Sequence, residues 1–519
     1  MVWTILNVWF QFSGATRDYK TVFLQASILF GLLGLLGWFF YAMSFSRTTR
    51  RVLIVVTLLL FAACYYSIDY VNDGDNRLIG LRFAWSPKPD QLLKFPVDKS
   101  RADQWEATPR DYPRFLGTGY WAEISGVRLD PDWEHNPPHE VWRREIGAGW
   151  SSFAIVGDYA VTQEQRGPYE LVVCYRLSTG EIVWTHADEA RFDPQSLLGG
   201  MGGVGPRATP TIDGPYVLTQ GATGIVNCLD AQSGEVRWSH DTLAKFGADN
   251  LMWGKSGSLL VVDGRVIVNV GAPASIQAQE TYNSSLVAFN IDTGEVEWAS
   301  GCRTTAYPSP VVVSFFGEKQ ILQINEHYLT AHRASDGQVL WEHGWPGSSS
   351  GDASCSQPVP LENNRLFLSR GYGDGASLLE IKQSENGALS AEPRWVPTAK
   401  PIMKTKFGNV VVRDEYVYGL DGTMLQCVDI EMGQSMWKKR RQRSLGHGQI
   451  MLVGDLILVV SERGELVLVE CSPEGYRELA AMQVLDDSTV TWNNLAFSPP
   501  YLLVRNAEEV VCLELPVLE

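Results

Sequence analysis

The sequence predicts an all-β eight-bladed propeller of four-stranded blades, carried behind an N-terminal two-helix transmembrane hairpin. Three observations predict it: a Gly and a Trp recurring four residues apart, tryptophans returning every 42 to 60 residues, and two uncharged apolar runs near the start. The 519 residues are 45% hydrophobic and 20% charged, which suits a chain with a large buried core. Forty-three Lys and Arg face 59 Asp and Glu, for a net charge of -16, so a phosphate-tracking nucleic-acid groove is excluded as a main function. The eight Cys form no CxxC pair, which removes a thioredoxin-type motif and a closely spaced zinc signature.

Residues 1–21 form an N-terminal segment of unassigned role. The uncharged run 22–45 has 24 residues, enough at 1.5 Å per residue to cross roughly 30 Å of hydrocarbon. A second run, 52–68, has 17 residues, and Arg47, Arg50 and Arg51 fall between the two. Basic loops stay on the cytoplasmic side, so the reading is a hairpin (22–68) in the inner, cytoplasmic membrane with everything after Asp69 on the periplasmic side. Membrane lipid is then a partner through the hairpin. Residues 69–104 are polar and turn-rich and read as a tether to a propeller over 105–519.

The repeat begins after that tether. VVCYRLSTGEIVW (172–184), VNCLDAQSGEVRW (226–238), LVAFNIDTGEVEW (286–298), LTAHRASDGQVLW (329–341) and LQCVDIEMGQSMW (425–437) share an apolar strand, a polar turn with Gly, and a Trp. The pairs are Gly180 and Trp184, Gly234 and Trp238, Gly294 and Trp298, Gly337 and Trp341, and Gly433 and Trp437. A Gly at fixed register in a turn supplies positive φ, and the Trp on the next strand is large enough to pack between neighbouring units. Period-two alternation without a sustained 3.6-residue period sets helical repeats aside. Units of this length fit four short strands and loops, as in WD40-like arrays.

Six units end near Trp184, Trp238, Trp298, Trp341, Trp395 and Trp437, and residues 454–479 make a seventh without a Trp. The tail 496–516 supplies strands, and EVWRREIG (140–147) supplies a Trp strand with no preceding hairpin. Joining them completes an eighth blade and removes two exposed edges. Cys174, Cys228, Cys427 and Cys512 share one repeat position that Ala288 and Ala331 fill elsewhere, the signature of a small buried site.

LDAQSGEVRW, FNIDTGEVEW and YRLSTGEIVW resemble the tryptophan-docking repeats of the pyrroloquinoline-quinone-type propeller superfamily, as does GPRATPTIDGPYVLTQGATGIVNCLD (205–230). YPRFLGTG (112–119) is similar to the degenerate "FRG" lead-in segment of exported propellers in that group. The resemblance covers nearly all of 105–519. It implies fold more than activity, because the same repeats occur in quinone dehydrogenases and in non-catalytic outer-membrane-protein assembly propellers, and this chain resembles the latter more.

Propellers bind ligands around their axis, so the segments before the repeats hold the candidates: Arg207, Lys255, Arg303, Lys406 and His447 for a central funnel, with Trp150, Trp253 and Trp492 as platforms. An anionic or planar ligand fits that set. The competing reading is that these side chains rim a narrow channel and pair with acidic neighbours. A quinone site, as the resemblance defines it, needs calcium held by Asp, Glu and Asn and often two adjacent Cys, which are absent here. His135 and His139 are separated by two prolines that preclude a shared helix face. No hydrolase elbow, Walker loop or GxGxxG appears. The expectation is therefore a non-enzymatic scaffold or protein-interaction module of the cell envelope, with no catalytic residue, metal or cofactor and with an envelope protein as partner. The alternatives are a pyrroloquinoline-quinone-dependent dehydrogenase with quinone and calcium, or a small-molecule-binding propeller.

Overall fold

The computed structural model describes residues 31, 34–39, 41, 46–75, 78–96, 101–103, 105–194, 202–273, 284–347, 353–396 and 400–518. They divide into two compact units, 1–88 with 194–202, and 89–193 with 203–519.

In the first unit, Ser46 caps a helix, Arg47–Ser67, by accepting from the Thr49 N–H. An antiparallel hairpin of Ile68–Asn72 and Leu78–Phe83 follows directly. This corrects the expectation of a transmembrane hairpin. The three arginines assigned to a loop lie inside the helix, and the uncharged residues that follow them within it are the 16 of 52–67. At 1.5 Å per residue that is about 24 Å, short of the roughly 30 Å hydrocarbon layer. Among the described residues no helix is long and apolar enough to cross a membrane. Run 22–45 lies largely outside the described residues. The lipid partner and the inner-membrane address, both deduced from that hairpin, lose their basis with it.

The second unit is built of eight four-stranded antiparallel blades, the seventh extended by Glu123–Ile124 as a fifth strand parallel to its inner one. Blade 1 comprises Ala154–Val156, Tyr159–Arg166, Tyr169–Arg176 and Ile182–Asp188, from inner to outer strand. Blades 2 to 7 repeat it at 211–241, 260–300, 311–344, 359–395, 411–439 and 449–483. Blade 8 takes Ala496–Ser498, Tyr501–Arg505 and Glu509–Glu514 from the end of the chain and His139–Glu145 from before blade 1. Those last two strands pair antiparallel with Cys512 opposite Trp142, so the ring closes by strand exchange between its two ends, as the repeat count predicts.

Five of the eight blade junctions use the same joint. The turn glycines Gly180, Gly234, Gly294, Gly337 and Gly433 have φ between 62° and 76°. Each lies under the indole of the preceding blade: Trp142, Trp184, Trp238, Trp298 and Trp395 respectively, with 2.4 to 2.8 Å between ring carbons and the place a Cβ would occupy. Only glycine fits there, on both backbone and steric grounds. Four of these indoles also donate to carbonyls in the next blade: Trp142 to Leu177, Trp184 to Ala231, Trp238 to Ile291 and Trp395 to Ile430, at 2.7 to 2.9 Å. Cys174, Cys228, Ala288, Ala331, Cys427 and Cys512 stand directly opposite a Trp on the adjoining strand, and a β-bulge follows each. A small side chain at that point leaves room for the indole to lie flat.

Candidate functional site

Two residues before most inner strands the chain carries a small polar side chain that ties one blade to the next. The Ser152 N–H donates to Thr209 Oγ1 (3.1 Å), the Thr209 N–H to Ser258 Oγ (2.9 Å), and the Ser258 N–H to Ser309 Oγ (2.8 Å). Further round, the Gln357 N–H donates to Asn409 Oδ1 at 2.9 Å. Gln449 Nε2 reaches both neighbours, the carbonyls of Phe407 (3.2 Å) and Trp492 (3.0 Å). Ser152 Oγ donates to the Asn494 carbonyl at 2.7 Å, joining blade 1 to blade 8. These buried amides need partners, and the belt supplies them without crowding the axis.

Counting two residues back from each belt position gives one equivalent residue per blade: Trp150, Arg207, Ser256, Tyr307, Cys355, Phe407, His447 and Trp492. Four of the five aromatic members, Phe407, His447, Trp492 and Trp150, are contiguous around the ring, with Tyr307 apart from them. Ring centroids are 4.7 Å apart for Trp150 and Trp492, 4.8 Å for Phe407 and Trp492, and 5.5 Å for Phe407 and His447. Trp150 and Trp492 are half-buried and so keep open faces. Trp492 Nε1 is held by Glu462 Oε1 at 2.7 Å, and Glu462 Oε2 also accepts from the His447 N–H. Gly203, in the left-handed region, lets Trp150 lie against its backbone. The result is a fixed aromatic arc across blades 6, 7, 8 and 1.

This places the sequence candidates. Trp150, Trp492 and His447 meet in the arc, and Lys406 lies beside it, its Nζ 5.0 Å from the Tyr372 ring and 5.3 Å from Phe407. Arg207 occupies a ring position but turns back to the carbonyls of Gly203 and Gly205 and stacks on Phe192. Lys255 falls one residue before a ring position and is buried, donating to the carbonyls of Asn269 (3.1 Å) and Val270. Burial pushes its pKa down to about 7. Arg303 is elsewhere: from the connection between blades 3 and 4 it pairs with Glu342 on the outer strand of blade 4 and stacks on Tyr328. The Trp253 N–H faces the Tyr307 hydroxyl at 3.4 Å. Phe407, Tyr372 and Glu462 are the members that residue type alone did not single out. The signal for Phe407 was positional, the same two-residue offset that marks Trp150 and Trp492.

The arc is not built for calcium and quinone. Calcium takes six to eight oxygen ligands, whereas the eight ring positions offer side-chain oxygen only from Ser256 and Tyr307, and Glu462 is engaged by Trp492 and His447. Among the described residues no group of three or more His, Cys, Asp and Glu is placed to hold a metal ion. His135 instead bonds Asp132 at 2.9 Å.

At the other end of the inner strands, the segment before blade 8's outer strand stitches the ring together. Tyr112 exchanges backbone hydrogen bonds with Ile155 of blade 1, and Pro113 accepts from Ile212 of blade 2. Tyr120 packs against blades 3 and 4 and Trp121 against blades 4 to 6. Ala122 and Ile124 accept from Leu452 and Gly454 of blade 7. Leu116, Tyr120 and Ala122 adopt left-handed φ of 59°, 65° and 51°, a strain that these contacts hold in place.

A family profile described as "Outer membrane protein assembly factor BamB" matches residues 169–439, more than half of the chain. The chain belongs to this family. A BamB of that description from Moranella endobia (strain PCIT) is 24% identical over 305 residues, covering 55% of this chain and 72% of the relative. The crystal structure of BamB from Moraxella catarrhalis matches with a TM-score of 0.47 at 14% identity, over 73% of this chain and 99% of that one. A quinohemoprotein alcohol dehydrogenase from Pseudomonas putida HK5 matches with a TM-score of 0.51 at 10% identity, over 79% and 81%, a likeness of fold alone. Membership in the BamB family, whose name concerns the outer membrane, corrects the inner-membrane placement expected from the sequence. It also separates the chain from the dehydrogenases with which it shares only the propeller.

Proposed function

We propose that this BamB-family propeller is a non-enzymatic interaction module of the cell envelope, and that the aromatic arc of Trp150, Trp492, Phe407 and His447 is its contact surface for a partner protein. The observation that supports this most is the packing of four rings from four successive blades, with Trp150, Trp492 and Phe407 half-buried, His447 buried against Phe407, and Trp492 fixed by Glu462. Rigid aromatic anchors with their polar edges already satisfied are the usual centre of a protein interface. The loops and propeller over 105–519 would present this surface, and no reaction is required of it.

The test is capture of partners by the full chain from detergent-solubilised envelope membranes, with and without the substitutions Trp150→Ala and Trp492→Ala. Recovery of one envelope complex should fall at least about tenfold in the double variant, since anchor residues typically contribute 2 kcal/mol or more. Equal recovery by a double variant with unchanged circular dichroism would defeat the arc as the contact surface. In parallel, calorimetric titration with pyrroloquinoline quinone and calcium should show no saturable heat; stoichiometric binding would restore the dehydrogenase alternative.

A further inference from the structure

Away from the aromatic arc, a groove of about 860 Å³ lies at the ring-closing seam, well within the roughly 300–1,000 Å³ of ligand clefts. Its walls come from opposite ends of the propeller chain, residues 109–139 on one side and 499–518 on the other. We propose that this groove docks an extended, basic segment of a partner protein. The inference rests on the interaction reading above and adds a second contact with its own chemistry.

Four observations carry it. First, two short strands border the groove, Glu123–Ile124 and Val517–Leu518, and each has a strand neighbour on one side only. Open strand edges recognise extended chain by adding it as a further strand. Second, Val517 and Leu518 are 40% and 41% exposed at the groove wall, an apolar surface for alternate side chains of such a segment. Third, five wall residues are prolines, Pro109, Pro137, Pro499, Pro500 and Pro516, which bring no N–H to the wall; the carbonyls of Pro500 and Pro516 are engaged by Leu515 and Asp130, so the acceptors offered are those of Pro109, Pro137 and Pro499. Fourth, the exposed carboxylates of Glu123 and Glu514 have no ion-pair partner among the described residues, against the one guanidinium of Arg110, while Asp111 is occupied by Thr108 and Gly157. An acceptor-rich, net acidic groove selects a donor-rich, cationic occupant, and Lys or Arg alternating with apolar residues in a strand matches both halves of the wall.

The walls are preorganised. Leu452 and Gly454 hold Ala122 and Ile124, the Asp130 N–H holds the Pro516 carbonyl at 2.8 Å, and the Leu515 N–H holds Pro500 at 2.9 Å. Little ordering remains to be done on binding, which favours affinity. Because the occupant would span both ends of the ring, it should also stabilise closure in proportion to its occupancy.

The experiment uses the full chain and a fluorescein-labelled eight-residue peptide of alternating Lys and Val, with the Glu-for-Lys peptide as its counterpart, read by fluorescence anisotropy and thermal melting. The basic peptide should saturate and raise the melting temperature, and the acidic one should bind at least about tenfold more weakly. The double variant Glu123→Gln with Glu514→Gln should lose at least about fivefold in affinity for the basic peptide, whereas Glu385→Gln, on the exposed hairpin of blade 5, should not change it. Equal binding of the two peptides, no saturable binding of either, or an unchanged affinity in the double glutamine variant would overturn the groove assignment. The peptide measurement is independent of the arc. If peptide binding fails while Trp150→Ala and Trp492→Ala still abolish capture, the groove alone is refuted. If capture fails while the peptide binds as expected, the arc falls and the groove stands.

Discussion

Gly234 shows how much one missing side chain can matter in this ring. Its φ is 69°, and a Cβ on it would sit 2.4 Å from Trp184. Gly214 shares the left-handed conformation at 54°, but nothing lies within 4 Å of its would-be Cβ. Replacing each by Ala therefore separates backbone strain from the joint itself: Gly214→Ala should cost about 1 kcal/mol and Gly234→Ala about 2–4 kcal/mol, measured by urea unfolding. Equal costs would mean that the indole contact contributes nothing. His332 offers a second residue-scale prediction. It is fully buried, facing the Gly337 carbonyl through Nδ1 and the Thr330 hydroxyl through Nε2, and burial pushes its pKa down to about 4. The unfolded chain takes up a proton near pH 6.5 that the folded chain refuses until about pH 4, so this contribution is full above 6.5 and lost through that window as pH falls. The stability advantage of the native chain over His332→Asn should shrink between pH 7 and 4.5; a constant gap would contradict the neutral buried ring.

At the level of elements, the interblade belt explains what in the site was legible and what was not. The Gly-to-Trp spacing is local and carried by two unmistakable residue types, so five of the eight blades can be read directly off it. The belt uses Ser, Thr and Asn interchangeably as acceptors and Gln449 as a donor, so no single letter marks its register. Candidates chosen for charge were consequently displaced: Lys255 and Lys406 stand one residue before ring positions, and Arg303 faces Glu342. The helix misled for a related reason. Run 52–68 reads as one apolar element in the sequence, while the chain starts the helix at Arg47 and leaves it for a strand at Ile68. The belt itself is testable. Ser258→Ala removes the acceptor of the buried Thr209 N–H and should cost about 1–3 kcal/mol, with faster hydrogen exchange confined to the Thr209 amide. Exchange unchanged at that amide would show that the hydrogen bond is dispensable.

For the whole molecule, closure decides whether eight blades behave as one. Blade 8 owes its outer strand to residues that precede blade 1, and Cys512 opposite Trp142 marks the register of that exchange. Arg505 adds a buried cross-link from blade 8 to blade 1, donating to the Gly147 carbonyl at 2.7 Å, Thr162 Oγ1 at 3.0 Å and the Gln163 carbonyl at 3.2 Å. A linear array of repeats would tolerate loss of its last strand with a local penalty, because each unit contacts only its neighbours. A ring would not, since removing one seam exposes strand edges at both ends and leaves Arg505 without Val510 and Trp142 without Cys512 on the strand opposite. Truncation after Glu508 deletes the strand Glu509–Glu514 and should therefore abolish the single cooperative urea transition of the propeller, with loss of near-ultraviolet dichroism from the docked tryptophans as well as lower stability. A truncated chain that still unfolds in one transition at the native midpoint would show that the blades hold together by pairwise docking alone, and that the seam between the two ends is not what fixes the ring.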